Sequence, residues 1–346
     1  MNYLNQGAKS AVEQCLSVTK ADRVFIVTDK ETQEIGTALE KEALKLTNSV
    51  KKIIIEDYVE RPALELPAKL IEEINRFKPT TSIYAAQALT GELPDFRRPL
   101  IDLFFKDHKC KHAHMVGITA QLMEDGMLQD YNEVYKVTHN VYNIVKNATK
   151  ILVTDPHGTN LEAEFDPKKI KWIPDDGKID NKKWKNLPSG EVFTSAMNAN
   201  GTFVAWVLGD SLKHYGELSD PIIVNLKNGY ITSVDVTKSA SDKTKNAKND
   251  FLEYVQQYKD SNRLGEFGIG TLVGLKAFTG NLLQDEKFPG VHIAFGHPYP
   301  EDTGQTWDSP SHIDIIAKKT TIVVEDNKGE TQTIMTNGVF TDHILN

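Results

Sequence analysis

Several short stretches of this 346-residue chain hold the side-chain types that bind divalent cations. In Ser309-Pro-Ser-His-Ile-Asp-Ile-Ile-Ala317, His312 and Asp314 sit among Ile313, Ile315 and Ile316. That is the period of a strand, so both polar side chains project from one face and can reach one ion. His292 lies in Gly290-Val-His-Ile-Ala-Phe-Gly296, a second strand in which the small Ala294 is its same-face neighbour and leaves room beside the imidazole. Glu266 sits in Leu264-Gly-Glu-Phe-Gly-Ile-Gly270, where glycines around one carboxylate imply close backbone approach, and a buried Glu needs a cation or a hydrogen-bond network. Glu191 follows the turn Pro188-Ser189-Gly190 and heads the apolar pair Val192-Phe193. Taken singly, each has an ordinary structural explanation, such as a salt-linked pair or a satisfied core histidine. Together they supply carboxylates and imidazoles nearly sufficient for two divalent ions, with one carboxylate bridging and open positions left for water. Mixed nitrogen and oxygen ligation without a thiolate suits zinc, manganese or cobalt. Asp285 and Glu286 are further acids close by in sequence.

A second constellation, His108, Cys110, His112 and His114, alternates with other residues in Asp107-His-Lys-Cys-Lys-His-Ala-His-Met115. In an extended segment all of them would share a face and reach a single metal. The interleaved lysines raise local positive charge, and structural zinc sites draw on separated ligand pairs, so the expectation here is an ordinary strand or loop edge.

The elements that must hold these residues divide the chain in two. Its length exceeds what one core usually fills, about 250 to 300 residues. Residues 23–28, 52–56 and 82–86 are β-branched runs alternating with helical patterns at 31–46 and 67–77, the mark of an α/β domain with a parallel sheet covered by helices. One long helix is expected over 131–148, and the boundary falls near 147, giving domains 1–147 and 148–346. Beyond it the chain is α+β with antiparallel strands that carry the metal site. Residues 222–226 and 230–236 flank Asn228-Gly229, and 320–325 and 331–335 flank Asn327-Lys328-Gly329, both hairpin signals, with a helix near 243–258. The charge-rich segments 168–184 and 238–249 are expected to be solvated loops or helix faces.

Composition excludes several classes. A hydrophobic fraction of 40% with 25% charged residues belongs to a foldable globular chain. The net charge of -8 disfavours nucleic-acid and anionic-membrane partners, which need clustered Lys and Arg. Cys15 and Cys110 are too few for a disulfide framework, so reduced thiols in a cytoplasmic protein are expected. The helical spacing of residues 1–20 has no apolar run of the kind a signal peptide needs, and no stretch approaches the roughly 20 apolar residues of a membrane span. Val24-Phe25-Ile26-Val27-Thr28-Asp29-Lys30-Glu31 lacks the glycines of a dinucleotide-binding turn.

The metal-ligand segments resemble the aminopeptidase T and aminopeptidase S family of dimetal peptidases. The resemblance runs through Asn186-Leu-Pro-Ser-Gly-Glu-Val-Phe193, Gly201-Thr-Phe203, Gly265-Glu-Phe-Gly-Ile-Gly270, Thr279-Gly-Asn281, Asp285-Glu-Lys287, Val291-His-Ile-Ala-Phe-Gly296 and Ser311-His-Ile-Asp314, with a looser match at Val116-Gly-Ile-Thr119. It implies an aminopeptidase acting on short peptides, with two divalent ions on Glu191, Glu266, His292, His312 and Asp314. It further implies a general base at Glu286, an active-site tyrosine at Tyr299, and a homodimer enclosing the site in an internal cavity. Two features depart from that pattern: the stretch from Tyr299 to His312 is short and carries His297 with two prolines, and the whole chain is short. The segments are also similar to the iron-dependent dioxygenases that open dihydroxypyridine rings, in which one Fe(II) would be held by two His and one carboxylate. An acid at Glu266 speaks for a second ion and against that alternative.

Overall fold

Val24-Phe25-Ile26-Val27-Thr28 has no polar face, which suits a strand covered on both sides, and it forms the fully buried β1 (Val24–Thr28). A computed structural model describes residues 3–346, and two compact units emerge. The first comprises the chain up to Glu133 together with Gly177–Ser189, and the second comprises Val134–Asp176 with Gly190–Asn346.

In the first unit β1 lies between β2 (Val50–Ile54) and β3 (Thr81–Ala85), and β3 pairs with β4 (Lys111–His114), all parallel. Parallel neighbours require crossovers, supplied by helices Gln33–Leu44 and Ala68–Phe77. The second of these packs Leu70 and Ile74 inward and stops at Lys78, whose left-handed backbone (φ 54°) lets its N–H return to the Ile74 carbonyl at 2.9 Å.

The second unit is one large antiparallel sheet. Its strands are β5 (Ala148–Thr154), β6 (Asn160–Glu164), β7 (Ile173–Asp175), β9 (Glu191–Thr194), β10 (Asn198–Leu208), β11 (Glu217–Lys227), β12 (Tyr230–Asp235), β13 (Leu264–Gly270), β14 (Gly290–Gly296), β15 (His312–Ile316), β16 (Thr321–Asp326), β17 (Thr331–Thr336) and β18 (Val339–Phe340). The intervening β8 (Lys185–Asn186) extends the first sheet beside β4. The order is β18-β17-β16-β5-β6-β10-β15-β14-β13-β9-β7, with β11 branching from β10 and carrying β12. Asn228 and Gly229 both take positive φ (53° and 76°), as the tight turn from β11 to β12 demands. Helix Asp242–Tyr254, capped by Ser241, buries Phe251 against this sheet, where Phe203, Phe267 and Phe295 form the aromatic part of the core.

The fold is thus an α/β parallel sheet plus an antiparallel domain, as the sequence implies. It differs from the sequence reading in the segment 168–184, which is not wholly loop, since residues 173–175 form β7. Three residues including Pro174 are too short to show a period. Among the described residues no helix is long and apolar enough to cross a membrane.

Candidate metal centre

Four neighbouring strands, β15-β14-β13-β9, bring the distant acids and histidines together. Residues paired across antiparallel strands share a face. Asp314 pairs with Ala294 and Ala294 with Glu266, forming one row across the sheet. His312 pairs with Gly296, His292 with Gly268, and Glu191 with Gly270. All five polar residues therefore rise from a single face, and each stands opposite a glycine or an alanine. The reason for these small neighbours is spatial. A Cβ at Gly268 would lie 2.0 Å from His292 Nε2, and one at Gly270 would lie 2.0 Å from the Phe288 carbonyl oxygen.

The side chains converge tightly. His292 Nε2 is 3.3 Å from Glu191 Oε2 and 3.3 Å from Glu266 Oε1. His312 Nε2 is 3.6 Å from Glu266 Oε2 and 3.3 Å from Asp314 Oδ2. Glu266 thus turns one oxygen toward each imidazole. Ligand atoms of Glu191, Glu266 and His292 lie within 4.8 Å of one another, as do those of Glu266, His312 and Asp314, so Glu266 belongs to both groups. Glu191, Glu266, His292 and Asp314 are buried.

This arrangement fits cations. His312 Nδ1 faces the His297 carbonyl at 3.1 Å, an oxygen that can only accept, so Nδ1 carries a proton and Nε2 is the nitrogen turned toward two carboxylates. Glu191 Oε2 is buried without a hydrogen-bond partner among the described residues. Burial disfavours a charged His292, yet the adjacent carboxylates of Glu191 and Glu266 lift its pKa well above the imidazole range. The surroundings ask for positive charge at that point, which a metal ion supplies in place of a proton. Burial likewise pushes Glu266 up, with the Asp314 charge adding to it.

Tyr254 fixes the start of β15 by donating to the His312 carbonyl at 2.9 Å and accepting from its N–H at 3.3 Å. Beside Glu191 lie Glu286 and Lys287, just after the short helix Leu282–Asp285, whose Asn281 side chain caps it. The Lys287 ammonium donates to Glu191 Oε1 at 2.9 Å and to Glu286. Burial pushes the Glu286 carboxyl up to about 8 against the pull of Lys287. Glu191, also buried, is held down at about 2 by the Lys287 charge. Asp285 faces away from the cluster and staples the preceding loop, accepting from Thr279 N (2.8 Å), Thr279 Oγ1 (2.9 Å) and Gly280 N (2.7 Å). Tyr299 sits on a left-handed backbone (φ 50°), its ring 5.1 Å from His312 and 5.8 Å from Phe193. His297 pairs with Asp308 at 2.5 Å in the same loop. Sequence reasoning took Lys287 only as part of a matching stretch; its flanking acids were the available signal.

The other constellation is not assembled. His108 bonds Asn75 at the surface, Cys110 lies buried against the Pro79 carbonyl, and only His112 and His114 lie within β4. His112 Nε2 and His114 Nδ1 lie 3.3 Å apart, with His112 Nδ1 also bonded to Ser82 at 2.8 Å. None of the four joins a potential metal-binding group among the described residues.

Comparison with known proteins bears on the same strands. The sequence model described as thermophilic metalloprotease (M29) matches residues 110–340, which include every residue of the cluster. No curated protein matches the chain. Two solved structures share the fold: 2,5-dihydroxypyridine dioxygenase from Pseudomonas putida KT2440, with a TM-score of 0.68 at 14% identity over 98% of this chain and 97% of that one, and AmpT from Thermus thermophilus, with a TM-score of 0.66 at 16% identity over 98% and 99%.

Proposed function

The chain belongs to the thermophilic metalloprotease family and is a metallopeptidase, and from that premise we propose that it is an aminopeptidase removing N-terminal residues from short peptides with two divalent ions. The observation that carries this reading is Glu266, whose two oxygens point to different histidines within two overlapping groups of donors. Glu191, Glu266 and His292 would hold one ion and Glu266, His312 and Asp314 the other.

When bound, such ions make water acidic near neutral pH and polarise a carbonyl. The protein's own groups do the rest. Glu286 takes a proton from the attacking water and passes it to the leaving amine, so the C–O bond forms as the peptide C–N bond breaks. The surplus of carboxylates attracts the free α-ammonium of the substrate, which a blocked peptide lacks. Phe193 and Tyr299 offer an aromatic wall beside His312. The buried thiols of Cys15 and Cys110, neither of them in a disulfide, accord with a reducing, cytoplasmic setting.

The test pairs metal analysis with turnover. The purified protein should carry two divalent ions per chain and hydrolyse a leucine chromogenic amide, losing activity on chelation and regaining it with zinc, cobalt or manganese. One iron per chain, oxygen uptake on a dihydroxypyridine and no amide hydrolysis would overturn the reading in favour of oxygenase chemistry.

A further inference from the structure

Lys287 brings an ammonium into direct contact with the carboxylates of Glu191 and Glu286, and its position is costly. Its side chain is only 2% exposed, and an ammonium withdrawn from water requires matched acids. Those acids are Glu191 and Glu286, and the charge of Asp175, which is paired with Glu191 across β7 and β9, adds to them.

The main chain of Lys287 is held as firmly as its side chain. Its N–H donates to the Gln284 carbonyl at 2.9 Å, and its carbonyl accepts from Leu272 N at 3.0 Å. It also lies so close to β13 that a Cβ on Gly270 would approach its carbonyl carbon to 2.6 Å. The ammonium therefore projects from a fixed anchor.

That placement divides the oxygens of Glu191 between two jobs. Oε1 receives Lys287 at 2.9 Å, while Oε2 is buried without a hydrogen-bond partner among the described residues and faces His292 Nε2 at 3.3 Å. A carboxylate with both oxygens free can chelate one ion through both; one whose oxygen is drawn to an ammonium is a weaker donor on that side and favours binding through the other.

We propose that Lys287 is a positioning residue of the metal centre. It occupies Glu191 Oε1 so that Glu191 offers only Oε2 to the ion it shares with Glu266 and His292, and the same ammonium holds Glu286 beside that ion. The role rests on the two-ion reading above and is separable from it. Lys287 touches neither an ion nor substrate in this role. Its removal changes how the ion is bound and where the base points.

The experiment uses full-length Lys287→Met and Lys287→Arg, each loaded with cobalt(II), whose visible absorption reports coordination number and geometry. Wild-type protein that binds no cobalt and cleaves no amide would sink the peptidase reading itself, whatever Lys287 does. With wild type loaded and active, Lys287→Met should show a weaker, shifted cobalt spectrum as Glu191 gains a second bond to the ion. Its metal affinity or kcat should fall about 10- to 100-fold, the range for residues that orient ligands, with KM little changed. Lys287→Arg keeps the charge and should recover affinity more than spectrum. A role in stability alone would lower the unfolding temperature and leave the spectrum and kcat untouched, and that result overturns the proposal. Should Lys287→Met fail to fold, a wild-type spectrum and wild-type kcat in Lys287→Arg overturn it equally.

Discussion

At the scale of single residues the cluster separates groups that hold charge from groups that move it. Glu286 lies beside the ligand set and not within it, so Glu286→Gln should retain both ions by elemental analysis yet lose turnover by about 10²- to 10⁴-fold, the usual worth of a general base. Unchanged activity in that variant removes Glu286 from the mechanism. His312→Ala should instead lose metal, because its Nε2 is the imidazole nitrogen that faces both Glu266 Oε2 and Asp314. A subtler site is Gly268, where even a methyl group would meet His292 Nε2 at 2.0 Å. Gly268→Ala should displace the imidazole and weaken metal binding at least tenfold while circular dichroism stays native; a variant that binds metal normally would show that the sheet yields at that point. The acids and histidines themselves were legible from alternation and glycine content, whereas the need for glycine at this position came into view only when β13 and β14 paired.

At the scale of elements, short alternating runs revealed the strands because each side of a strand meets a different environment. The hairpin turns at Asn228-Gly229 and Asn327-Lys328-Gly329 were legible for a separate reason, the positive φ that Asn and Gly tolerate. β7 and β8 were not legible, since strands of three and two residues with Pro174 or Lys185 show no period. The order of strands around the centre was not legible either, because no local preference states that β9 pairs with β13. Two elements carry predictions. The loop before Glu286 hangs on the Asp285 carboxylate and its three donors. Asp285→Ala should cost about 1–3 kcal/mol and depress kcat by releasing the segment that carries Glu286; wild-type values for both quantities would refute the staple. In β4, burial lowers the pKa of His112 to about 3. The unfolded chain takes up a proton there as pH falls through about 6.5, and the folded one does not, so stability declines between roughly pH 6.5 and 3. His112→Asn should make that decline shallower in denaturant unfolding at successive pH values, the buried His114, its pKa also lowered by burial, supplying the remainder, with metal content and turnover unaltered.

At the scale of the whole molecule, one face of one sheet concentrates carboxylates that repel each other unless cations intervene. Bound ions stabilise the folded state with the logarithm of their free concentration, about 2.7 kcal/mol at a hundredfold excess over Kd. Chelation should therefore lower Tm by about 5–10 °C and steepen the sensitivity to salt, both readable in thermal unfolding of loaded and stripped protein. An unchanged Tm would mean that the cluster is content without metal. The strands that carry the donors are neighbours in space yet run from Glu191 in β9 to Asp314 in β15 along the chain. A ribosome delivers those segments in sequence, and the pairing of β14 with β15 waits for the last of them. No chain that stops short of Asp314 can hold all five proposed ligands, so the proposed metal centre is completed only once synthesis has passed β15.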